Sequence, residues 1–398
     1  MVEEVALRSG WVTPQGRQSV AFGLPMTDAL PEAVARLSMK RIAVVTTRSL
    51  AGEGGLAHAV AQRLGDRFDM MISGVDAHTP RRSVIRVAEQ LATVDGVVTI
   101  GGSSVHDTVK AARLCLANGV RDADGMDRFR ARVRKADGVA VDEGPDPTVA
   151  PTLPFIAIPT TLSAGEFTSG VGVTDERGPI KKVYVYPQLS PDIVILDPAM
   201  TSRTPGRLFF SSGMRAVDHA IESWCSINPT PLSEACSLHA ARLLMMGMRA
   251  VFDNPQDMQA RLDCQEGAWL SILMGSAMGV KTGASHGLGH ALGGTGGMLH
   301  GDTSCIMLPH VLRYNAPVNA DRQAVIAASL GRSGEALGDI VGELVAYLNL
   351  PTRLRDAGID RADIDRIAQA AIHDVGVKHN PRPIDGIAGV RTLLQHAW

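Results

Sequence analysis

The stretch Asp95-Gly-Val-Val-Thr-Ile-Gly-Gly-Ser-Ser104 is a β-branched apolar run that ends in two glycines. A continuous apolar run is typical of a strand that is buried on both faces, as in a parallel sheet. Helical periodicity precedes this strand over residues 80–92 and follows it over residues 105–117. The three segments predict alternating strands and helices, with a glycine turn where the strand meets the second helix.

Similar runs on both sides of this stretch extend the pattern to a whole α/β domain. They cover residues 41–47, 154–159 and 192–197, and residues 55–64 add a further helical period. Beyond residue 200 the strand signals stop. The helical periods there span residues 207–226, 231–254, 258–278, 320–329, 334–348 and 361–372. The sequence therefore predicts a Rossmann-like parallel-sheet domain over residues 1–199 and an all-helical domain over residues 200–398.

The composition excludes several classes of protein. The 398 residues include 39 basic and 41 acidic side chains, and 45% are apolar, which excludes a mainly disordered chain. The near-neutral charge and the 4% of aromatic residues offer little to a nucleic acid. The apolar stretch at residues 268–280 is too short to cross a bilayer, and residues 1–4 lack the pattern of a secretory signal, so we expect a cytoplasmic protein. Five dispersed cysteines without a CxxC pair argue against a disulfide framework.

Residues 118–151 form a charged segment between the second and third of these strands. The segment is rich in arginine and aspartate and ends in Glu143-Gly-Pro-Asp-Pro147. Long connections run over the protein surface and often carry function. The segment is therefore either a solvated surface insertion or a lid near the active site.

The glycine turn Gly101-Gly102-Ser103-Ser104 favours a phosphate site. Glycine lets the backbone approach a ligand, and the amide groups at a helix start attract phosphate. Many turns between a strand and a helix need glycine for their geometry alone, so the turn does not require a ligand. The GxGxxG fingerprint is absent after the first strand, where Thr47 stands, so a dinucleotide would be bound differently from the standard Rossmann pattern.

Polar residues around the turn strengthen the nucleotide interpretation. Asp107 and Lys110 are three residues apart and share one face of the following helix. A second polar turn follows the third strand at the carboxyl edge of the sheet, where open α/β sheets bind ligands. It carries Thr160, Thr161 and Ser163.

Four histidines of the predicted helical domain have a spacing that suggests a metal site: His219, His286, His290 and His300. His286 and His290 lie one turn apart on one helix face, and glycines around them leave room for close approach. Neutral imidazole is a common ligand of zinc and iron, and such an ion could polarise a carbonyl or an alkoxide. The alternative is a set of hydrogen-bonded histidines that line an interface between helices.

In order and spacing, these residues resemble the iron-containing (group III) alcohol dehydrogenases over roughly residues 20–350. The matching motifs are Gly101-Gly-Ser-Ser-x-x-Asp107-x-x-Lys110, Pro159-Thr-Thr161, Lys181, Asp197-Pro198, Gly213-x-x-Ala-x-x-His219-Ala-x-Glu222, His286-x-x-x-His290-x(9)-His300-Gly and Leu308-Pro-His-x-x-x-Tyr314-Asn315. The resemblance implies a dinucleotide domain, a helical metal domain, and hydride transfer in the cleft between them. It also implies a small-molecule substrate and a homodimer.

The resemblance further implies roles for individual residues. The cofactor-binding set is Thr47, Gly101, Gly102, Ser103, Ser104, Asp107, Thr160, Thr161, Ser163 and Lys181. The metal-ligand set is His219, His286 and His300, and the ion would be Fe²⁺ or Zn²⁺. The catalytic set is His290, Arg215 and His286, in which His290 matches a histidine placed for proton relay.

The chain departs from the family pattern at Arg215. The family has an aspartate as fourth metal ligand four residues before the first ligand histidine, and this chain has arginine there. A guanidinium cannot ligate a cation and repels it. Asp218 is adjacent to His219, but on a helix it would point about 100° away from it.

The maleylacetate reductases, a branch of the same superfamily, also lack this aspartate and work without metal. The chain is similar to them in Ala164-Gly165-Glu166-x-Thr168, in His290-x-Leu-Gly-Gly-Thr295 and in Leu308-Pro-His-x-x-x-Tyr-Asn-Ala-Pro317. In this alternative Arg215 binds a substrate carboxylate and the histidines act as polar groups and proton donors.

Cofactor choice and reaction type stay open at this point. NAD-specific members tend to have an aspartate after the first strand, where this chain has Thr47 and Arg48, so NAD(H) and NADP(H) both remain candidates. The main prediction is an NAD(P)-dependent oxidoreductase that acts on an alcohol or carbonyl substrate. The alternatives are a metal-independent enzyme that acts on a carboxylated intermediate of aromatic degradation, a dehydroquinate-synthase-like lyase, and a nucleotide-binding protein without catalysis.

Overall fold

The computed structural model describes residues 10–12, 18–130, 133–136, 139–142, 149–178, 180–273 and 280–398. The chain divides into two compact units. The sheet unit comprises Met1–Thr160 and Gly165–Thr201, and the helical unit comprises Thr161–Ala164 and Ser202–Trp398. Among the described helices, none combines the length and the apolar character that a bilayer-spanning segment needs.

The sheet unit alternates strands and helices along most of its length. In chain order its elements are β1 (Gly10–Val12), β2 (Ser19–Phe22), α1 (Met26–Arg36), β3 (Ile42–Thr46), α2 (Arg48–Ala51), α3 (Leu56–Leu64), β4 (Phe68–Ile72), α4 (Arg81–Leu91), β5 (Gly96–Gly101), α5 (Ser103–Ala117), β6 (Val133–Ala136), β7 (Val139–Asp142), β8 (Phe155–Pro159), β9 (Gly170–Asp175), β10 (Ile180–Val185) and β11 (Ile193–Leu196).

In the described part of this unit, seven strands form one sheet in the order β1-β2-β11-β8-β5-β3-β4. β1 pairs antiparallel at one edge, and every other neighbouring pair in this sheet is parallel. All residues of β3, β5 and β8 are buried, as their continuous apolar runs require. The predicted Rossmann-like parallel sheet is confirmed.

Parallel pairing brings the carboxyl ends of β3, β5 and β8 to the same edge of the sheet. Oγ1 of Thr46, at the end of β3, donates to the carbonyl of Ile100 in β5 at 2.8 Å. The amide of Thr160, just after β8, donates to the carbonyl of Gly101 at 2.9 Å. The turns that follow these strands therefore meet at one place, where α/β sheets bind ligands.

Helices cover both faces of the sheet. On one face, Ile42 and Val44 of β3 pack in one apolar cluster with Leu30 of α1 and Val60 of α3. Aliphatic side chains at alternate strand positions build this core because successive residues of a strand face opposite sides.

The other face is covered by α5, which carries a buried histidine. Oγ1 of Thr99 in β5 lies 2.8 Å from Nδ1 of His106 in α5. Burial, with the nearby charge of Lys110, lowers the pKa of His106 to about 3. The ring is therefore neutral and acts as a structural hydrogen-bonding group under α5.

Residues 170–185 form an antiparallel hairpin of β9 and β10 that the sequence analysis did not predict. In β10, buried Tyr184 lies between exposed Val183 and Val185. A short run with alternating exposure carries a weaker signal than the continuous runs of the main sheet, so it was missed.

The first part of the charged segment at residues 118–151 contacts other elements of the sheet unit. Gly125–Phe129 forms a 3-10 turn in which Asp127 pairs with the buried Arg81 and with Arg177. β6 and β7 then form an antiparallel hairpin. Both interpretations of the segment, a surface insertion and a lid, stay predictions.

The helical unit is built from helices, as predicted. They are α6 (Gly206–Trp224), α7 (Pro231–Asp253), α8 (Met258–Leu273), α9 (Ala284–Gly294), α10 (His300–Ser329), α11 (Leu337–Tyr347), α12 (Ile364–Ala371), α13 (Val375–Lys378) and α14 (Gly386–Ala397). The five cysteines of the chain are free thiols, in agreement with their dispersed spacing.

The sequence pattern predicts the longest helix, α10, only over its last part, at residues 320–329. It begins at His300 and contains Pro309 and Pro317, and its backbone leaves helical geometry at Asn319 with φ −145°. Proline removes a helical hydrogen bond, which argues against a helix in a sequence pattern. Packing over the length of α10 outweighs this cost.

Candidate active site

The Gly101-Gly102 turn places the N-terminus of α5 at the carboxyl edge of the sheet. Gly101 has φ +153°, and a Cβ atom there would lie 2.7 Å from Cγ2 of Val105, so only glycine fits. Gly102 is the N-cap residue and has no side chain with which to cap the helix. The first amides and the dipole of α5 thus suit a phosphate group.

The two serines of this turn have different neighbours. Oγ of Ser104 accepts a hydrogen bond from the amide of His78 at 3.2 Å. Ser103 lies against Gly165 of the second turn, where a Cβ atom would come within 2.4 Å of Oγ of Ser103. Glycine at residue 165 is what lets the second polar turn approach the first.

Lys110 links α5 to the second turn from inside the protein. Its side chain is fully buried, and Nζ donates to Oδ1 of Asp107 at 3.2 Å, to Oγ1 of Thr168 at 3.2 Å and to the carbonyl of Gly165. The predicted cofactor residue Asp107 is therefore held by a buried cation. The spacing of Asp107 and Lys110 predicts their shared helix face, but no sequence pattern indicates the contacts of Lys110 with Gly165 and Thr168.

The other predicted cofactor residues lie at three further places. Thr47 is the N-cap residue of α2, directly after β3. The hydroxyl groups of Thr161 and Ser163 lie 2.9 Å apart in the short segment that belongs to the helical unit. Lys181 lies in β10, and its side chain is outside the described part of the chain.

Helices α6 and α9 bring His219 and His286 into contact. Nε2 of His286 lies 2.8 Å from Nδ1 of His219, and Nδ1 of His286 lies 2.7 Å from Oε2 of Glu222. Because an ionised carboxylate only accepts, Nδ1 of His286 donates to Glu222. We call His219 and His286 the histidine pair. Within this pair, His286 is anchored by the carboxylate of Glu222.

Glu222 also fixes the start of α9. Its carboxylate accepts hydrogen bonds from the amides of Gly283 and Ser285, each at 2.8 Å, and from the amide of His286 at 3.3 Å. A Cβ atom on Gly283 would lie 2.8 Å from Oε1 of Glu222. One side chain from α6 therefore caps α9 and orients the histidine that α9 carries.

Asp218 lies on the other side of His286. Its Oδ2 atom accepts from the hydroxyls of Ser285 at 2.9 Å and Ser304 at 2.6 Å, and its Oδ1 atom lies 3.5 Å from Nδ1 of His286. Helix geometry predicts that Asp218 points away from His219, and in the structure this carboxylate faces His286. His286 thus lies between two buried carboxylates.

Arg215 brings a positive charge to the same cluster. Its Nη1 atom donates to Oγ of Ser304 at 3.3 Å and lies 3.6 Å from Oδ2 of Asp218. Within the described residues, Nε and Nη2 of this largely buried side chain donate to no acceptor. Burial lowers the pKa of Arg215, but a guanidinium stays charged in proteins. The arginine therefore retains donors for a ligand.

The electrostatics of the cluster distinguishes the two rings of the histidine pair. Burial and the charges of His286 and Arg215 lower the pKa of His219 well below its usual value. Burial and Arg215 also act against a charged His286, but Asp218 and Glu222 outweigh them and raise its pKa. In spite of burial, His286 and Arg215 lower the pKa of Asp218. The cluster therefore favours a charged His286 beside ionised Asp218.

The other two predicted histidines are carried by α9 and by the start of α10. His290 is one turn after His286 on α9, is half exposed, and has Nδ1 3.0 Å from Oδ2 of Asp374. His300 begins α10, and its ring packs against Gly293, where a Cβ atom would lie 2.9 Å from Cε1 of His300. Asp374 orients His290, a role that no spacing signal indicated.

The cluster does not fit a bound metal ion. Among the described residues, the group of at least three possible ligand side chains whose ligand atoms all lie within 4.8 Å of one another is Asp218, Glu222 and His286. Of the three histidines that the resemblance implies as ligands, this group contains His286. Glu222 already accepts from three amides and an imidazole, and Oδ2 of Asp218 accepts from two hydroxyls. A divalent ion would have to displace these donors beside the Arg215 cation.

The chain matches known proteins over nearly its whole length. Residues 18–198 match "Iron-containing alcohol dehydrogenase", and residues 209–398 match "Fe-containing alcohol dehydrogenase family, C-terminal". It is 31% identical to dehydrogenase FUM7 of Gibberella moniliformis, over 95% of this chain and 96% of that protein. It is 30% identical to lactaldehyde reductase of Escherichia coli K12, over 95% and 97%. The crystal structure of maleylacetate reductase from Rhizobium sp. strain MTP-10005 has a TM-score of 0.77 at 27% identity, covering 98% of each chain.

The parallel sheet, the glycine turn at its carboxyl edge and the helical unit with its histidines define a class of oxidoreductase. The chain belongs to the iron-containing alcohol dehydrogenase family. Members of this family are oxidoreductases that use NAD(P)H and typically a divalent metal. The resemblance inferred from the motifs is confirmed.

Proposed function

We propose that this chain transfers hydride between NAD(H) or NADP(H) and a small alcohol or carbonyl substrate. The observation that carries the proposal is the histidine pair, anchored by Glu222 and flanked by the Arg215 guanidinium. Carbonyl reduction leaves negative charge and a missing proton on the substrate oxygen, and these groups can supply both a positive field and a proton.

The glycine turn supports binding of the cofactor. The N-terminus of α5 suits the pyrophosphate, and Asp107, held by Lys110, is one turn further along the same helix. The nicotinamide ring, when bound, supplies or accepts the hydride. Arg48 follows Thr47 after β3, where an acidic residue would repel a 2′-phosphate, so the proposal includes both cofactors.

The histidine pair supports the proton step. The 2.8 Å separation between Nε2 of His286 and Nδ1 of His219 is short enough for direct proton transfer. Glu222 keeps His286 in one orientation through Nδ1, which leaves Nε2 directed at His219. His290, half exposed and oriented by Asp374, places a second imidazole on α9 within reach of water.

A second candidate function is metal-independent reduction of a carboxylated carbonyl compound. The observation that favours it is Arg215, which stands where the family's aspartate would be and keeps unsatisfied donors at Nε and Nη2 within the described residues. Guanidinium donors match the two oxygens of a carboxylate. The likeness to maleylacetate reductase at 27% identity supports this second candidate. The likeness to lactaldehyde reductase at 30% identity supports the first candidate about equally well.

The test is cofactor oxidation by the full chain. We expect oxidation of NADH or NADPH with lactaldehyde, or with maleylacetate if the second candidate holds, and a loss of at least about tenfold in kcat for His219→Gln. The matched control is His239→Gln, an exposed histidine on α7, which should leave kcat unchanged. Turnover without net cofactor oxidation would instead indicate a lyase, and cofactor binding without turnover on any carbonyl would contradict the proposal.

We also infer a homodimer. In the described part of the chain, antiparallel β1 ends the sheet and leaves one edge without a neighbour, which is a surface on which two sheets can pair. Light scattering of the eluting protein should give twice the chain mass, and a monomer at all concentrations would contradict this inference.

A further inference from the structure

The helical unit contains a cavity of about 520 Å³ that the proposed reaction does not use. Its walls come from α10, α11, residues 352–355 and the C-terminal residues around His396 and Trp398. Small-molecule sites are concave and have volumes of roughly 300–1,000 Å³. The cavity is therefore large enough for a metabolite.

The cavity is lined by positive charge, and we call it the basic cavity. Arg313, Arg353 and Arg355 line it together with His310 and His396. Among the described residues that line it, none is acidic. Burial and the charges of Arg313 and His396 lower the pKa of His310 to about 4, in agreement with a positive field. Such a surface attracts anions.

The three arginines differ in how far their charge is neutralised. Arg313 donates to Oδ1 of Asp339 at 2.8 Å and is paired. Arg355 lies 3.9 Å from Asp356, and both side chains are about half exposed, so that pair is weak. Arg353 has no ion pair within the described residues. The basic cavity therefore keeps a net positive charge.

An indole ring forms one fixed wall. Nε1 of Trp398 donates to the carbonyl of Ile359 at 3.0 Å, which sets the orientation of the ring. The guanidinium of Arg355 lies 5.7 Å from the ring centroid, and that of Arg361 lies 5.3 Å from it. Stacking against the ring reduces the freedom of Arg355, so less entropy is lost when it binds a ligand.

The basic cavity and the side chains around the histidine pair lie on opposite sides of α10. Ser304, which contacts Arg215 and Asp218, and Arg313, which lines the basic cavity, are nine residues apart. At about 100° per residue, nine residues correspond to two full turns and roughly a further 180°, so the two side chains point in opposite directions. The basic cavity is thus a separate site in the same unit.

We propose that the basic cavity binds a small anion that carries phosphoryl groups, held mainly by Arg353 and Arg355. Each phosphoryl group brings up to two negative charges and three acceptor oxygens, which guanidinium groups bind in paired hydrogen bonds. Arg353 is unpaired within the described residues and Arg355 is weakly paired, whereas Arg313 is paired. Two available guanidinium groups match the charge of a phosphoryl group better than they match the single charge of a carboxylate.

The test is calorimetric titration of the full chain with pyrophosphate, compared with citrate as a polyanion that lacks phosphorus. We expect pyrophosphate to bind, and the double variant Arg353→Ala/Arg355→Ala to weaken binding by at least about tenfold. The matched control is Arg361→Ala, which removes the same charge from the other arginine at the Trp398 ring but does not line the basic cavity. The Arg361→Ala variant should bind pyrophosphate with the same affinity as the unmodified chain.

Three results would overturn the proposal. The first is no pyrophosphate binding, and the second is equal affinity in the double variant, which would place pyrophosphate elsewhere, for example at the N-terminus of α5. The third is tighter binding of citrate than of pyrophosphate. Equal unfolding temperatures of the variants exclude misfolding as the cause of a loss. Arg353→Lys, which keeps the charge but not the fork, should bind with intermediate affinity.

Discussion

Nη1 of Arg215 lies 3.6 Å from Oδ2 of Asp218, and the hydroxyl of Ser304 is hydrogen-bonded to both side chains. The arginine stands where the family pattern has an acidic metal ligand, so the sign of the charge beside the histidine pair is reversed. A cation of the protein itself now stabilises the buried carboxylate of Asp218. We therefore expect the charge at residue 215, rather than the histidines, to decide whether the cluster takes up metal.

Arg215→Asp should create a divalent metal site. The substitution replaces a repelling cation by a ligand one helical turn before His219, where the two side chains share a helix face. Elemental analysis should find well below one equivalent of iron or zinc in the unmodified chain and about one in Arg215→Asp. Arg215→Ala, which removes the repulsion without adding a ligand, should bind zinc at least about tenfold more weakly than Arg215→Asp. A full equivalent of metal in the unmodified chain would show that the donors around Glu222 and Asp218 do yield to an ion.

Arg215→Ala should discriminate between substrates by charge. Loss of a charge-assisted contact to a carboxylate costs about 2–3 kcal/mol, so KM for a carboxylated carbonyl substrate should rise roughly 30- to 160-fold, and KM for a neutral aldehyde should change little. The control is Arg207→Ala on the same helix, whose partner is Asp302 at 2.8 Å. Equal losses on both substrates would assign Arg215 a structural role.

Gly101→Ala should weaken cofactor binding. The added Cβ atom would meet Cγ2 of Val105 at 2.7 Å in a backbone conformation that L side chains rarely adopt, so the turn before α5 must shift. We expect KM for the cofactor to rise at least about tenfold, because phosphate binding depends on the position of the first amides. Gly52→Ala is the control, since its φ is −62° and nothing lies within 4 Å of the added atom. If both variants bind cofactor like the unmodified chain, the turn is not the phosphate site.

Stability should decrease with rising pH because of Glu166. Burial, opposed by Lys110, raises the pKa of Glu166 to about 7 from an ordinary value of 4.5. Between these two values the folded chain binds the proton and the unfolded chain does not, so this contribution to stability is lost as pH rises through that window. The difference corresponds to at most about 3 kcal/mol. Glu166→Gln should remove this part of the pH dependence in urea unfolding, whereas Glu53→Gln, at an exposed position, should not. An unchanged pH profile in Glu166→Gln would show that Glu166 is ionised throughout.

The parallel sheet could be predicted from the sequence because each of its central strands is a short, continuous apolar run. Such runs between turn residues are typical of strands that are buried on both faces. The glycine turn before Ser103 was found for the same local reason. By contrast, Glu222 reaches the amide of Ser285 across 63 residues of sequence, and no periodic pattern reports such a contact. The position of Asp218 between His286 and Ser304 likewise depends on how α6, α9 and α10 pack. The N-terminal part of α10 was missed because Pro309 argues against a helix that packing nevertheless stabilises.

The four residues Thr161–Ala164 have a consequence for any attempt to dissect the protein. They belong to the helical unit, although the chain on both sides of them belongs to the sheet unit. The amide of Leu162 donates to Oγ of Ser212 at 3.0 Å, and its side chain would lie 3.0 Å from a Cβ atom on Gly213. A C-terminal fragment that begins at Ser202 would lack Thr161–Ala164, which are part of its own unit. A cut of the chain between the two units therefore yields an incomplete C-terminal fragment rather than an autonomous domain.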